Sequence, residues 1–305
     1  MLPPCATCST SGERTVIGGA LRLATRGSRQ AVAQATAVAD LITSATRREV
    51  ELVLIETTGD ARLDVPLHEI GGQGVFVKEV QLAVIDGRAD LAVHSAKDLP
   101  SITTDGLVIA AYCARRDPAD ALVGARLDDL APGATVATGS VRRRAQLARA
   151  RPDLQFVELR GNIDTRLSKI PDGGAIVMAV AALEILGMTD RIAERLDVAT
   201  FVPAVGQGCV AIECRAGDDD TLRAVRAVDH APTRHAVEVE RAFLGQLGSG
   251  CSLPVGGHVD DRRLTVFLAD FATNQSIVAG VDLVGSDADI GIARRAALGA
   301  QAALG

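Results

Sequence analysis

Short apolar runs alternating with helical stretches predict an α/β fold: two similar domains facing each other across a cleft, followed by a small α+β C-terminal domain. Three observations carry this expectation. The chain has 305 residues, more than one ordinary core organises. Two of its segments open alike. Leu23-Ala24-Thr25-Arg26-Gly27-Ser28-Arg29 and Val136-Ala137-Thr138-Gly139-Ser140-Val141-Arg142 each read as strand, small-residue turn, serine cap and an arginine in the first helical turn. Finally, 48% of residues are hydrophobic but only 2% aromatic, with no Trp, so Ala, Val, Leu and Ile must fill the interior.

Residues 1–18 read as a flexible leader. The first domain is expected over 19–115 with a returning segment at 208–228. It begins with a strand at Leu21–Ala24, a helix from Arg29 to Thr43 capped by Ser28, and a strand from Val50 to Glu56. Thr57 to Gly74 is a long polar connection, and its Gly71-Gly72-Gln73-Gly74 makes it a candidate mobile lid. A helix from Val75 to Ile85, the apolar strand Leu91-Ala92-Val93 and a strand from Leu107 to Tyr112 follow, and Arg115-Arg116-Asp117-Pro118 reads as a hinge. The second domain, 118–203, is expected to hold strands at 134–137, 154–159 and 175–180. Its helices are expected at 141–150, 163–169 and 181–186, and the alternation calls for parallel sheets. Val210 to Glu213 returns the chain to the first domain. A third unit over 231–305 comprises a helix at 236–247, a Gly-rich loop with Cys251, strands and an Ala-rich helix.

A net charge of −6 and scarce aromatics argue against nucleic-acid binding. The first residues lack the pattern of a signal peptide, and no apolar run reaches membrane-spanning length, so a soluble cytoplasmic protein is expected. Six cysteines without a signal do not make a disulfide framework. Cys5-x-x-Cys8 has zinc-knuckle spacing but no second pair, so no metal is expected.

The chemistry concentrates after Leu91-Ala92-Val93, where His94, Ser95, Lys97 and Asp98 arrive within five residues and Pro100 stops a helix. Polar residues just past a buried strand of an α/β sheet face the ligand crevice. Arg142, Arg143 and Arg144 open a helix whose dipole disfavours cations there, which makes sense if an anion binds among them. Arg26 and Arg29 pose the same question at the first helix, and Arg160 and Arg166 stand at the next strand end. Many planar guanidinium forks around one cleft suit a ligand with several carboxylates. Amid them Asp98 fits a group that stabilises a developing cation or handles its proton. Cys251, in a Gly-rich loop, is an accessible nucleophile or attachment point, whereas Cys113, Cys209 and Cys214 read as packing residues. His94 is open between a base and a hydrogen-bonded structural role.

The motifs in order resemble the porphobilinogen deaminase (hydroxymethylbilane synthase) family. They are Ala24-Thr25-Arg26-Gly27-Ser28, Gly74-Val75-Phe76-Val77-Lys78-Glu79, Ala92 to Pro100, Thr138-Gly139-Ser140-Val141-Arg142-Arg143 and Leu159-Arg160-Gly161-Asn162. Pro203-Ala204-Val205-Gly206-Gln207-Gly208 and Gly250-Cys251-Ser252-Leu253-Pro254-Val255-Gly256 complete the set. The resemblance implies two periplasmic-binding-protein-like domains and a transferase of tetrapyrrole synthesis that condenses four porphobilinogen molecules into hydroxymethylbilane. It implies a dipyrromethane cofactor on a thioether to Cys251, and Asp98 as the catalytic carboxylate. Ser95, Lys97, Ser140, Arg142, Arg143, Arg160, Arg166 and Gln207 match carboxylate-binding positions, with Arg26, Ser28 and Gln34 on the first helix. A monomer acting on a small molecule is implied. Three departures stand out: Gln73 and Ile185 where the family is commonly basic, and Ser28-Arg29-Gln30 where it favours Ser-Pro-Leu. The rival readings are a solute-binding or sensor protein of the periplasmic-binding type and a decayed paralogue that binds pyrroles without turnover.

Overall fold

The computed structural model describes residues 19–57, 77–248 and 254–304. The leader at 1–18, residues 58–74 of the expected lid and Cys251 lie outside them. The chain opens with β1 (Leu21–Arg26), α1 (Arg29–Thr46) and β2 (Val50–Ile55). Ser28 caps α1, its hydroxyl accepting the Ala31 N–H at 3.3 Å. Next come α2 (Lys78–Ile85), β3 (Leu91–Ser95), a 3-10 turn over Ala96–Asp98 and β4 (Leu107–Tyr112). Of the helix expected from Val75, the first two residues lie outside the described set.

The chain then crosses to a second sheet with β5 (Asp120–Val123), β6 (Thr135–Ala137), α3 (Val141–Ala150) and β7 (Gln155–Val157). It continues through α4 (Ile163–Leu167), β8 (Ala175–Ala179), α5 (Val180–Glu184) and β9 (Glu194–Arg195). Ser140 caps α3 as Ser28 caps α1, accepting the Arg143 N–H at 3.4 Å, so the internal likeness of the two openings is structural. A second crossover returns the chain as β10 (Val210–Arg215) and α6 (Asp219–Arg226). The third unit is α7 (Ala231–Gln246), β11 (Val255–Asp260), β12 (Arg263–Asp270), β13 (Gln275–Asp282) and α8 (Ala288–Leu304).

The two large sheets share one plan. Their orders are β2-β1-β3-β10-β4 and β7-β6-β8-β5-β9. In each, the first three strands are parallel and the fourth runs antiparallel to its neighbours. This corrects the expectation of purely parallel sheets. The strand that enters after each crossover arrives from the other unit, with no helix to turn it around. β5, β9 and α6 were not anticipated, and α7 starts at Ala231, five residues before the expected Ala236, with Pro232 in its first turn.

Small apolar side chains fill the cores as the composition required. Leu21, Leu23, Val38, Ile42, Leu91, Val93 and Ile212 pack in the first, and Leu122, Val136, Leu147 and Val177 in the second. Val239, Phe243, Leu264, Val266, Ala293 and Ala297 join α7 and α8 to the three-stranded sheet β11-β12-β13. Two glycines let the second crossover pack closely, one against the 3-10 turn and one against the first crossover. Gly206 (φ +72°) would place a Cβ 3.0 Å from Ala96, and Gly208 (φ +83°) would place one 2.7 Å from the Arg116 carbonyl oxygen.

Candidate active site

The site gathers where β3 ends, at the start of α3, and along the second crossover. The 3-10 turn carries Lys97 and Asp98 off the end of β3, and Lys97 Nζ donates to Gln207 Oε1 at 3.3 Å. The Gln207 amide then donates to Asp120 Oδ1 at 2.9 Å and to the Pro118 carbonyl at 2.7 Å. Asp120 is the hub. Arg142 Nη1 donates to its Oδ2 at 2.7 Å and to Val202 O at 2.7 Å, while Arg143 Nε donates to Oδ1 at 3.0 Å and its Nη1 to Val177 O at 2.9 Å.

Burial pushes the Asp120 carboxyl up, but Arg142 and Arg143 outweigh it and hold the group far below the usual carboxylate range. The anion that the arginine run calls for is, for Arg142 and Arg143, the protein's own Asp120. Sequence reasoning missed it, although an acid opening the otherwise apolar Asp120-Ala121-Leu122-Val123 was the available signal. Arg144 goes elsewhere, 5.9 Å from the Phe156 ring centre and 5.8 Å from that of Phe271.

A positive field fills the space beside this hub. Burial above all, then the Arg143 charge, brings the Lys97 ammonium down to about 8, against the opposing pull of Asp98 and Asp120. Burial, followed by Arg143, lowers Arg166 to about 10, with Arg26 and Arg160 adding repulsion and Asp98 attraction. Thus Arg26, Lys97, Asp98, Arg143, Arg160 and Arg166 sense one another electrostatically. Arg160 Nη1 is buried with no hydrogen-bond partner among the described residues. A buried donor in that condition is costly unless a ligand meets it. Asp98 forms no hydrogen bond or ion pair among the described residues.

Gln34 and Ser95 exchange a 3.3 Å hydrogen bond at the first-sheet wall of the cleft. Above them Arg29 Nη1 reaches Asp164 Oδ1 at 3.1 Å, an exposed ion pair joining α1 to α4 across the cleft. His94 takes no part. Its Nε2 lies 3.1 Å from Glu213 Oε2 inside the first sheet, and Gln81 also donates to that oxygen at 2.8 Å. Burial raises Glu213, yet His94 and Gln81 bring it below its usual value, which gives His94 its structural role. Burial pushes the Cys113, Cys209 and Cys214 thiols up to about 11, 12 and 11, so they are packing residues, not nucleophiles.

One further carboxylate was missed. Glu240 of α7 is buried and takes both terminal nitrogens of Arg115, the Gly206 N–H at 2.8 Å and the Val259 N–H at 2.8 Å. Arg115 Nε also donates to Gln207 O at 2.9 Å, linking the third unit to the cleft network. Cys251 falls in sequence between α7 and β11. Of the described residues beside it, Gly257 of β11 donates its N–H to Pro203 O at 2.9 Å, at the second crossover.

Comparison with known proteins places the sequence. Residues 21–223 match the family profile described as porphobilinogen deaminase, dipyromethane cofactor binding domain. The chain is 44% identical over 280 residues to the porphobilinogen deaminase of Nitratidesulfovibrio vulgaris strain DP4, covering 88% of this chain and 89% of that one. It is 46% identical over 264 residues to that of Thermobifida fusca strain YX, covering 84% and 82%. A solved periplasmic substrate-binding protein from Coxiella burnetii is a slighter likeness: 13% identity and a TM-score of 0.41 over 72% of this chain and 96% of that one. A profile spanning both sheets and relatives this close over most of both chains leave one assignment: the chain belongs to the porphobilinogen deaminase family.

Proposed function

We propose that this chain is a working porphobilinogen deaminase, a transferase that joins four porphobilinogen molecules head to tail, releases four ammonia and yields hydroxymethylbilane after hydrolysis. The observation that carries the reading is a carboxylate with no hydrogen bond or ion pair among the described residues, Asp98, set among Lys97, Arg26, Arg143, Arg160 and Arg166 at one cleft, whereas Asp120 is spent on Arg142 and Arg143. A pure anion-binding site has no use for that acid.

The donor set also fits a dipyrromethane, whose acetate and propionate groups need several cations. The partnerless Nη1 of buried Arg160 is a position for one of them. Ser95, Lys97, Ser140, Arg142, Arg143, Arg160, Arg166 and Gln207 would hold it, with Arg26, Ser28 and Gln34 at the first-sheet wall. When bound, it supplies the primer carbon to which the first substrate is joined. Arg142 and Arg143 each keep guanidinium N–H groups beyond those given to Asp120. Lys97 and the arginines fix the substrate carboxylates, which orients the reacting pyrrole against Asp98. Asp98 stabilises the positive charge that grows on the pyrrole as ammonia leaves, and it is the group placed to receive the ring proton after each joining step. Cys251 is the anchor in this reading.

The proposed domain division is 19–115 with 208–228, 118–203 and 231–305, and the grouping of the strands into three sheets supports it. No helix among the described residues is long and apolar enough to cross a membrane. Family membership supports a cytoplasmic monomer. Intact mass spectrometry of the purified protein tests the whole proposal. The expected mass exceeds the polypeptide by one dipyrromethane, and Cys251→Ser loses that excess. A bare mass that stays bare after incubation with porphobilinogen overturns catalysis and leaves a binding protein.

A further inference from the structure

The cleft does not end at Lys97. On α1, Gln30, Gln34, Val38 and Leu41 lie at four-, four- and three-residue spacing, so they share one face over about 16 Å at 1.5 Å per residue. Gln30 and Gln34 line the space beside Lys97. Gln34, Val38 and Leu41 line an adjoining cavity of about 350 Å³, which Ile185, just past α5, and Arg116 of the first crossover also border. The two spaces share Gln34, Arg116, Gly208 and Val210, which makes them one groove leading outward between the units.

Arg116 is the cation of this groove. Its backbone N–H is fixed by Gly208 O at 2.9 Å, while its exposed guanidinium has no hydrogen bond or ion pair among the described residues. Its neighbour Arg115, by contrast, is wholly engaged with Glu240 and Gln207. An apolar wall with one free guanidinium complements a flat ring that carries acid side chains.

We propose that this groove holds the middle rings of the growing chain, between the Cys251 anchor and the end reacting at Asp98, with a carboxylate on Arg116 and a pyrrole face against Leu41 and Ile185. The assignment rests on the deaminase reading. It makes Arg116 a binding residue for elongation, with no part in the first joining step.

The test is intact mass spectrometry of the cofactor-loaded protein after limiting porphobilinogen, which counts pyrroles added per molecule. In Arg116→Ala the first addition keeps its wild-type rate, and a covalent species stalled short of full length accumulates about tenfold over wild type, the factor expected for one lost charge-assisted contact. Ile185→Arg in that variant, which puts a cation on the facing wall, restores the wild-type distribution. A wild-type distribution at every chain length in Arg116→Ala, or a block at the first addition, overturns the groove assignment alone. A wild-type protein that gains no pyrrole mass overturns the deaminase reading and the groove with it.

Discussion

Arg115 and Glu240 form a two-point ion pair at 2.6 and 2.9 Å, with the carboxylate wholly buried. The pair joins the first crossover to the third unit, and the same carboxylate holds Gly206 of the second crossover and Val259 of β11. Removing one partner of a buried pair leaves the other charge without compensation. Glu240→Ala is expected to cost about 3–5 kcal/mol in urea unfolding. Burial raises the Glu240 carboxyl, but Arg115 and His258 bring it to about 2, below its ordinary 4.5. Its stabilisation is therefore complete above about pH 4.5 and lost as pH falls through about 2. Glu240→Gln should remove that acid-dependent fall; an unchanged stability profile between those pH values would refute the pairing.

Asp120 is the second buried hub, and its removal strands two arginines. Asp120→Asn is expected to lower stability by about 3–5 kcal/mol and weaken ligand binding, because Arg142, Arg143 and Gln207 lose their common acceptor. Chemical denaturation measures the first effect and calorimetric titration with porphobilinogen the second. Wild-type values in both would show that the arginines hold position without it.

Lys97 gives the cleft a pH dependence. Its ammonium titrates at about 8, below the ordinary 10.5, because burial and the Arg143 charge disfavour it. Anionic ligands should bind less tightly as pH rises from 7 to 9, and Lys97→Arg should remove that step. Stability runs the other way. The buried ammonium costs the fold most below about pH 8, and the cost fades toward pH 10.5 as the unfolded chain also loses its proton. Lys97→Met should then be more stable than wild type at pH 7, with the gap closing in alkali. A gap that widens with pH refutes this.

Asp98→Ala should reduce hydroxymethylbilane formation by at least about a hundredfold while the cofactor mass stays attached. Half-buried and without a hydrogen-bond partner among the described residues, Asp98 contributes to the fold only through its attraction for Lys97 and Arg166, so the variant should stay folded with a midpoint close to wild type. Full turnover in this variant would remove Asp98 from the chemistry.

Local signals made much of this legible. Ser28 and Ser140 announced α1 and α3 because capping depends on a few adjacent residues, and the apolar run at Leu91 announced a buried strand. The same reasoning brought Lys97, Asp98, Arg143 and Arg160 to one cleft, since each follows a strand or opens a helix, with Arg166 on the short helix that comes next. What it missed was long-range. Asp120 meets Arg142 across 22 positions and Glu240 meets Arg115 across 125, distances that no periodicity encodes. β5 and β10 run antiparallel because each enters its sheet from the opposite unit, a consequence of tertiary path, not propensity.

The two crossovers lie side by side, stitched by the Arg116 N–H to Gly208 O and the Gln207 amide to Pro118 O. A door hung on two straps swings about the line through them and resists twisting. If the cleft widens as pyrroles accumulate, a swing about that line is the motion that leaves these bonds intact. Distances between the large sheets then change most far from that line and least beside it. A pair of spectroscopic labels set across the cleft far from that line would follow its opening as the chain lengthens.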